Sequence, residues 1–317
     1  MDNSLNQHNP IQVSVVVPLF NEAESLPELT QLIEANLQAA NHTFEIIFVD
    51  DGSTDESWNV IEDLKKSFSF VRGVKLRRNY GKSAALQAGF DIVKGDFICT
   101  MDADLQDDPA ELPPMIQMLK DGYDLVSGWK QKRYDPISKT LPSRFFNFVT
   151  SKSTGIALHD FNCGLKAYKA EVIQNINLYG ELHRYIPLLA QDEGFRKIGE
   201  KAVQHHPRKY GYSKFGFSRF VKGFLDLVSL LFVQRYLQRP MHFFGTIGTI
   251  SLLSGSGIIT YLTFGRIFLN QYLSNRPLLI FGVLLMVLGV QFFSVGLIGE
   301  LIIKQSGVKK ADIKEII

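Results

Sequence analysis

The chain has 317 residues, enough for one or two domains with an ordinary apolar core. Its two cysteines, Cys99 and Cys163, form no CxxC pair, which excludes a disulfide framework and a structural zinc site and indicates a reducing compartment. The net charge of +2 is a cancellation. Residues 1–195 carry 18 Lys and Arg against 27 Asp and Glu, residues 196–240 carry 10 against 2, and residues 241–317 carry 6 against 3.

Short β-branched runs alternate with helical patterns in the acidic first region. The runs cover 13–18, 44–50, 71–76 and 96–101, and the helical patterns include 26–37 and 57–66. This alternation predicts an α/β fold with a parallel sheet and helices on both faces. Ligands of such sheets bind beyond the carboxyl ends of the strands, where this sequence is acidic.

Two acidic segments follow predicted strands. In MDADLQDDP, an extended backbone would place the oxygens of Asp102, Asp104 and Gln106 on one face. Such oxygen ligands suit Mg²⁺ or Mn²⁺ together with substrate phosphates. The alternative is a solvated turn before a helix capped by Asp108. In FVDDGSTD, Asp51 either accepts a hydrogen bond from a nucleotide base or belongs to a turn.

Several common catalytic motifs are missing from the sequence. It contains no P-loop, no GxGxxG after the first strand, no HExxH and no GxSxG. These absences argue against an NTPase, a dinucleotide-dependent dehydrogenase, a zincin and a serine hydrolase. We also predict no nucleic-acid partner.

Two uncharged stretches predict membrane spans. Residues 241–265 and 277–299 contain no Asp, Glu, Lys or Arg, and both exceed the roughly 20 residues that a spanning helix needs. Residues 1–10 lack the features of a signal peptide. Basic residues cluster before the first stretch and after the second, so we expect a cytoplasmic head, two spans and cytoplasmic termini in the inner membrane. Between the head and the first span, apolar residues at helical spacing predict an interfacial helix on an anionic leaflet.

Five sequence blocks carry a resemblance to a known family. They are VVVPLFNE (15–22), VDDGSTD (49–55), RNYGKSAALQAG (78–89), MDADLQDDP (101–109), and HRYIP (183–187) with PRKYGYSKFG (207–216). Together they resemble the family 2 inverting glycosyltransferases of the dolichol-phosphate mannose synthase type. The two C-terminal spans are most similar to the layout of bacterial GtrB-like polyisoprenyl-phosphate glycosyltransferases. The resemblance implies a GT-A (Rossmann-like) catalytic domain.

The resemblance also implies roles for matching residues. The nucleotide sugar would contact Pro18, Phe20, Glu22, Val49, Asp51, Asp102, Ala103, Asp104, Lys130, Arg208 and Lys214. Phe20 replaces the usual Tyr. Lys130 replaces an Arg, so a single ammonium charge stands where the family has a guanidinium that can form two hydrogen bonds. The QxxRW signature of processive synthases is absent, which favours transfer of a single sugar.

Further candidates concern the reaction itself. Asp104, Asp160, Arg208 and Lys214 are the catalytic candidates, of which Asp160 either orients the sugar, accepts a proton or is a turn residue. The acceptor phosphate would contact Arg144, His183 and Arg184. Lys82 in NYGKS is either another phosphate contact or a surface lysine.

The predicted activity is inverting transfer of one hexose, glucose from UDP-glucose by preference, to undecaprenyl or a related polyprenyl phosphate. A phosphate acceptor has a second pKa near 6, so it needs no strong base. The alternatives are a mannosyl transferase using GDP-mannose, an aminosugar transferase, and a non-catalytic sugar-nucleotide-binding scaffold of a flippase. The sequence leaves open whether the chain forms homo-oligomers and whether it has a flippase or a downstream glycosyltransferase as a partner.

These expectations divide the chain into six parts. They are a polar tail (1–10), a cytoplasmic catalytic domain (11–214), a juxtamembrane amphipathic segment (215–240), two transmembrane helices (241–265 and 277–303) and a basic tail (304–317).

Overall fold

The computed structural model describes residues 11–131, 147, 150–152, 154–180, 182–207, 209–210, 240–269 and 277–306. The chain divides into two compact units, Met1–Leu227 and Val228–Ile317. Several predicted features lie outside the described residues: the tail 1–10, most of the juxtamembrane segment, the tail from 307 onward, Arg144, Arg208 and Lys214.

The first unit contains a seven-stranded sheet in its described part. The strands are β1 (Val13–Leu19), β2 (Phe44–Asp50), β3 (Val71–Lys75), β4 (Phe97–Thr100), β5 (Leu125–Lys130), β6 (Lys166–Lys169) and β7 (Ile198–Val203). The helices are α1 (Leu26–Ala39), α2 (Ser57–Ser67), α3 (Lys82–Phe90), α4 (Leu112–Lys120), α5 (Ala170–Asn175) and α6 (Ile186–Asp192), with short 3₁₀ turns at Pro109–Glu111 and Leu182–Tyr185.

The sheet is mixed, whereas the alternation of elements predicts a parallel one. Its strand order is β3-β2-β1-β4-β6-β5-β7. Strands β1 to β4 pair in parallel, but β6 runs antiparallel to both β4 and β5. Strand β6 has only four residues and a lysine at each end, so no local pattern signals its direction.

Alternate residues of β1 face two helical layers. Val13, Val15 and Val17 belong to one apolar cluster with the buried sides of α1, α2 and α4. Val16 points to the opposite face, where its side chain lies against Gly89 of α3. Both faces of the central strands are therefore covered, as their continuous apolar runs predict.

Pro18 lies in the interior of a central strand but costs no ladder hydrogen bond to β4. The β1–β4 register ends at Val16 and Thr100, so Pro18 lies beyond the last pair on that side. Its other neighbour, β2, pairs with it at Val49. A proline without an N–H is tolerated where the neighbouring strand has ended.

The second unit contains two helices long and apolar enough to cross a membrane. They are α7 (Pro240–Leu269) and α8 (Pro277–Ser306). Large apolar side chains project outward from both, with Leu253 69% and Ile280 74% exposed. Water would penalise this exposure heavily, whereas lipid would not.

Glycines set the contact between α7 and α8. A Cβ added at Gly248 would lie 2.8 Å from the carbonyl oxygen of Gly289, and one added at Gly255 would lie 2.7 Å from that of Gly282. These four small residues therefore pack the two helices of one chain together, in the manner of small-residue contacts between membrane helices.

Candidate functional site

The loops after β1 and β2 are locked together by side-chain hydrogen bonds. The Asn21 N–H donates to Ser53 Oγ (2.9 Å), and the Thr54 N–H donates to Asn21 Oδ1 (2.8 Å). The Glu22 N–H donates to Ser57 Oγ (3.0 Å). Asn21 has a φ of 55°, a left-handed conformation that asparagine tolerates better than most residues. The predicted contacts Phe20 and Glu22 therefore lie beside the β2 loop that carries Asp51.

Asp51 is almost fully buried and anchors the loop before α3. Its two carboxylate oxygens accept hydrogen bonds from the backbone N–H groups of Tyr80 (2.7 Å) and Gly81 (2.9 Å). Burial raises the pKa of Asp51 above its usual value, although these two donors act in the opposite direction. The residue predicted either to bind the base or to belong to a turn thus has a structural role, the anchoring of a distant loop.

Gly52 makes room for the same loop. Its φ is +74°, and a Cβ there would lie 2.4 Å from the carbonyl carbon of Arg78. Asp50, the last residue of β2, is fully buried and accepts a hydrogen bond at Oδ1 from the Ser53 N–H (2.8 Å). Close backbone approach and backbone donors therefore shape this end of the sheet.

The segment after β4 is a turn, which corrects the expectation of an extended backbone. Leu105 has a φ of 58°. The Gln106 N–H donates to Asp104 Oδ1 (3.2 Å), and the Gln106 carbonyl accepts from the His206 N–H (2.8 Å). The left-handed residue breaks the alternation on which the shared face of Asp102, Asp104 and Gln106 was predicted. These three residues still follow one another around a single turn at the carboxyl end of β4.

Asp102 lies among cationic side chains. Its side chain is about one-third exposed, forms an ion pair with Lys82, and lies against Gly164. Burial would raise the pKa of Asp102, but the ammonium groups of Lys82, Lys130 and Lys166 outweigh it and hold that pKa below its usual value. Asp102 is therefore ionised at neutral pH.

Lys130 forms a buried ion pair that sequence reasoning missed. Its Nζ lies 2.5 Å from Asp107 Oδ1, and the Asp107 side chain is fully buried. Burial lowers the pKa of Lys130, but Asp107, Cys163 and Asp102 outweigh it, and the pKa is raised overall. Lys130, a predicted contact of the nucleotide sugar, is thus a permanent cation with a protein partner. Asp107 belongs to the acidic run DLQDDP, but only the fold shows that this acid is the buried one.

Asp160 lies in a buried loop. It is 1% exposed, and its Oδ1 accepts a hydrogen bond from the Asn162 N–H (3.1 Å). Its own N–H donates to Glu200 Oε1 (3.1 Å). This geometry matches the turn aspartate that the sequence left as an alternative.

His183 and Arg184 lie in the 3₁₀ turn Leu182–Tyr185. Ser83 Oγ bonds to both the backbone N–H and the Nδ1 of His183, each at 3.0 Å, which ties this turn to the start of α3. Both residues line one small crevice with Lys82 and Lys166. The structure therefore brings these predicted acceptor contacts into the neighbourhood of Lys82, the ion-pair partner of Asp102.

The described acidic turn supplies oxygen ligands only. Two carboxylates and one amide suit a hard cation such as Mg²⁺ or Mn²⁺, which uses few protein ligands and keeps positions for substrate phosphates. No cluster of three or more His, Cys, Asp or Glu side chains able to hold a metal occurs among the described residues. The chemistry of Asp102, Asp104 and Gln106 thus fits a cation site shared with substrate phosphates.

Comparison with known proteins identifies the family. The family model described as "Glycosyl transferase family 2" matches residues 14–176. The chain is 40% identical to a dodecaprenyl-phosphate galacturonate synthase from Rhizobium johnstonii, with 92% of this chain and 88% of the relative covered. It is 36% identical to an undecaprenyl-phosphate 4-deoxy-4-formamido-L-arabinose transferase from Pseudomonas fluorescens, with 92% and 85% covered.

A solved structure supports the fold. The glucosyl-3-phosphoglycerate synthase of Mycobacterium tuberculosis, crystallised with Mn²⁺ and UDP-glucose, aligns with a TM-score of 0.54 at 20% identity. The alignment covers 70% of this chain and 78% of that one. The first unit thus has the predicted GT-A fold, and the two apolar helices follow it. On the evidence of the family model and of relatives aligned over nearly the whole chain, this protein is a glycosyltransferase that belongs to glycosyl transferase family 2.

Proposed function

We propose that this protein transfers one sugar from a nucleotide diphosphate to a polyprenyl phosphate at the cytoplasmic face of the inner membrane. The arrangement at the carboxyl edge of the sheet carries this proposal. The ends of β1, β2 and β4 lie side by side there, and they present Phe20–Glu22, Asp51 and the acidic turn Asp102–Gln106. In the proposed complex Phe20 would stack on the base, Asp51 would accept a hydrogen bond from the base, and the acidic turn would hold a cation at the diphosphate.

The names of the relatives narrow the sugar. One relative is named for galacturonate and another for 4-deoxy-4-formamido-L-arabinose, and both are named for a polyprenyl phosphate. Neither name includes glucose, so the predicted glucose donor is unsupported, and the predicted aminosugar alternative fits better. We therefore propose a uronic acid or a 4-amino-pentose derivative as the transferred sugar.

The proposed reaction needs few protein groups. A lipid phosphate is largely dianionic at neutral pH and attacks C1 of the sugar directly, with inversion, while the nucleotide diphosphate leaves. Asp102, Asp104 and Gln106 would hold a divalent cation, which neutralises the leaving diphosphate when bound. Arg208 and Lys214 would assist this neutralisation. Arg144, His183 and Arg184 would orient the acceptor phosphate, and the buried Asp160 would only position its loop.

The membrane arrangement is part of the proposal. Helices α7 and α8 would span the bilayer, and the basic segments before and after them would face anionic cytoplasmic head groups.

Cysteine labelling tests this topology. Cys99 and Cys163 are both buried, so they give little background in labelling experiments. We expect Ser274→Cys, between the helices, to react with a membrane-impermeant maleimide in intact cells, and Ser4→Cys to react only after lysis.

The activity is tested with full-length protein in detergent, MgCl₂ and undecaprenyl phosphate. The donors are UDP-galacturonate, UDP-4-deoxy-4-formamido-L-arabinose, UDP-glucose and GDP-mannose, and the lipid product is detected by mass spectrometry. We expect a lipid-linked monosaccharide that is lost in Asp104→Asn and retained in Asp63→Asn, a change at an exposed acid on α2. Nucleotide binding without product from any donor would favour the flippase scaffold instead.

A further inference from the structure

The ammonium groups of three lysines act electrostatically on Asp102, and two of these lysines are fixed in place. Lys130 pairs with the buried Asp107. Lys166 is 3% exposed, and its Nζ donates to the backbone carbonyl oxygens of Phe161 (3.3 Å) and Cys163. If either ammonium moved away, its buried partner would lose its ion pair or hydrogen bonds without replacement. These two lysines are therefore permanent parts of the structure.

Lys82 is held much less firmly than the other two. Its side chain is 31% exposed, and its described ion-pair partner is Asp102. It is the first residue of α3, directly after Gly81, which has a φ of +95° and open space where a Cβ would lie. A long, partly solvated side chain at a helix start can change rotamer at low cost. Lys82 can thus move while Asp102 stays against Gly164.

A divalent cation and the Lys82 ammonium would compete for Asp102. A divalent cation on Asp102 would place two like charges beside the Lys82 ammonium if that ammonium stayed. A bound cation would therefore displace Lys82, and the freed ammonium would remain available to the phosphates that share the cation. Lys82 also lines one small crevice with His183 and Arg184, the predicted contacts of the acceptor phosphate.

We propose that Lys82 is an exchangeable counter-ion of the donor site. Its ammonium neutralises Asp102 until a divalent cation binds, and then it pairs with a phosphate group of the nucleotide sugar. This inference rests on the cation and donor of the proposed function. It assigns Lys82 as a donor-binding residue that links cation binding to diphosphate binding.

The experiment compares Lys82→Met with Lys66→Met, which removes an equally long cation from an exposed i,i+3 pair on α2. Mn²⁺ binding to the full-length protein is followed by electron paramagnetic resonance without nucleotide, and UDP binding is followed by calorimetry with Mn²⁺ saturating. We expect Lys82→Met to bind Mn²⁺ about fivefold more tightly and UDP about fivefold more weakly, a typical coupling magnitude. Lys66→Met should match the wild type in both.

Opposite changes of the two affinities are the signature of exchange, because a merely structural lysine would weaken both. Arg184→Met tests the general effect of positive charge in the crevice. Equal tightening of Mn²⁺ by Arg184→Met and Lys82→Met would overturn the proposal, and so would unchanged or weaker Mn²⁺ binding by Lys82→Met. If Lys82→Met fails to fold, Lys82→Gln replaces it. The binding signature without any lipid product would sink the proposed function but not this inference, and turnover without the signature would do the reverse.

Discussion

The acids that follow β2 and those that follow β4 are held by different kinds of partner. Asp50 accepts a hydrogen bond from the backbone N–H of Ser53 in its own loop, and Asp51 accepts two from Tyr80 and Gly81 in the loop before α3. Asp102 and Asp107 instead face the ammonium groups of lysines. Both pairs follow strands of one sheet at its carboxyl edge, where β1 lies between β2 and β4.

The difference separates two tasks. Backbone donors cannot move away, so a carboxylate that holds them fixes the shape of a loop and keeps that shape through a catalytic cycle. The ammonium of a flexible lysine side chain can be exchanged for another cation. A carboxylate paired with such a lysine can therefore change its counter-ion when a ligand binds. The acids that follow β2, which we call the β2 end, therefore fix the shape of the pocket. The acids that follow β4, the β4 end, balance the positive charges in it.

Asp102→Asn should give the largest effect on activity. The amide keeps the size of the side chain but removes the charge that a cation and Lys82 require. We expect the rate of sugar transfer to fall by about 10²- to 10³-fold, as for loss of one strong electrostatic group in an active site. Initial rates at saturating donor and MgCl₂ measure this, with thermal unfolding as the check of folding. A variant that keeps a tenth of the wild-type rate would contradict the role of this acid.

Lys130→Met should give the largest effect on stability at the β4 end. It leaves the carboxylate of Asp107 buried without its cation, which costs about 3–5 kcal/mol of unfolding free energy. The double variant Lys130→Met/Asp107→Leu removes both charges and should recover most of the loss. Urea unfolding of both variants in detergent measures the difference. A single variant within about 1 kcal/mol of the wild type would mean that Lys130 is as exchangeable as Lys82.

The same two ends show what could be predicted from the sequence. The first four strands are predicted to within one residue because β-branched runs are local signals, and the acids beyond β1, β2 and β4 follow from them. The direction of β6 and the turn at Leu105 were not predictable in this way. Strand pairing depends on residues far apart in sequence, and a left-handed leucine has no local signature.

The partners of the acids were equally hidden. Asp51 bonds to N–H groups 29 and 30 residues away, and any residue type could supply them. Lys166 lies in the apolar context GLKAY and satisfies its ammonium with carbonyls of its own loop, which composition cannot reveal. Motifs thus identified the acids, whereas the distinction between fixed and exchangeable acids required the fold.

Asp51→Asn should have a smaller effect than either variant of the β4 end. The new amide NH₂ would face one of the N–H donors of Tyr80 and Gly81, which leaves a buried donor unpaired. We expect a loss of about 1–3 kcal/mol in unfolding free energy. UDP affinity should fall as well, because the loop before α3 loses its anchor. Calorimetry and urea unfolding measure the two effects, with Asp63→Asn as the exposed control. Weaker UDP binding at full stability would show that Asp51 contacts the base without shaping the loop.

The smallest expected effect concerns pH. When the pH is lowered, the contributions of Asp51 and Asp102 to the free energy of unfolding should change in opposite directions. Burial raises the pKa of Asp51 above the unfolded value of 3.8, so its protonation favours the folded state, and its contribution to stability grows as the pH falls toward 3.8. The lysines lower the pKa of Asp102 below 3.8, so its ionised form favours the folded state, and its contribution is lost as the pH falls further.

Urea unfolding of the wild type, Asp51→Asn and Asp102→Asn in EDTA, between about pH 3 and pH 6, measures both contributions as differences from the wild type. The difference for Asp51 should widen toward acid, and that for Asp102 should narrow. Two differences that move in the same direction would mean that both ends are held by the same kind of interaction. Opposite directions would extend the contrast from geometry to energetics, because the same protons would stabilise the end that backbone donors fix and destabilise the end that lysines balance.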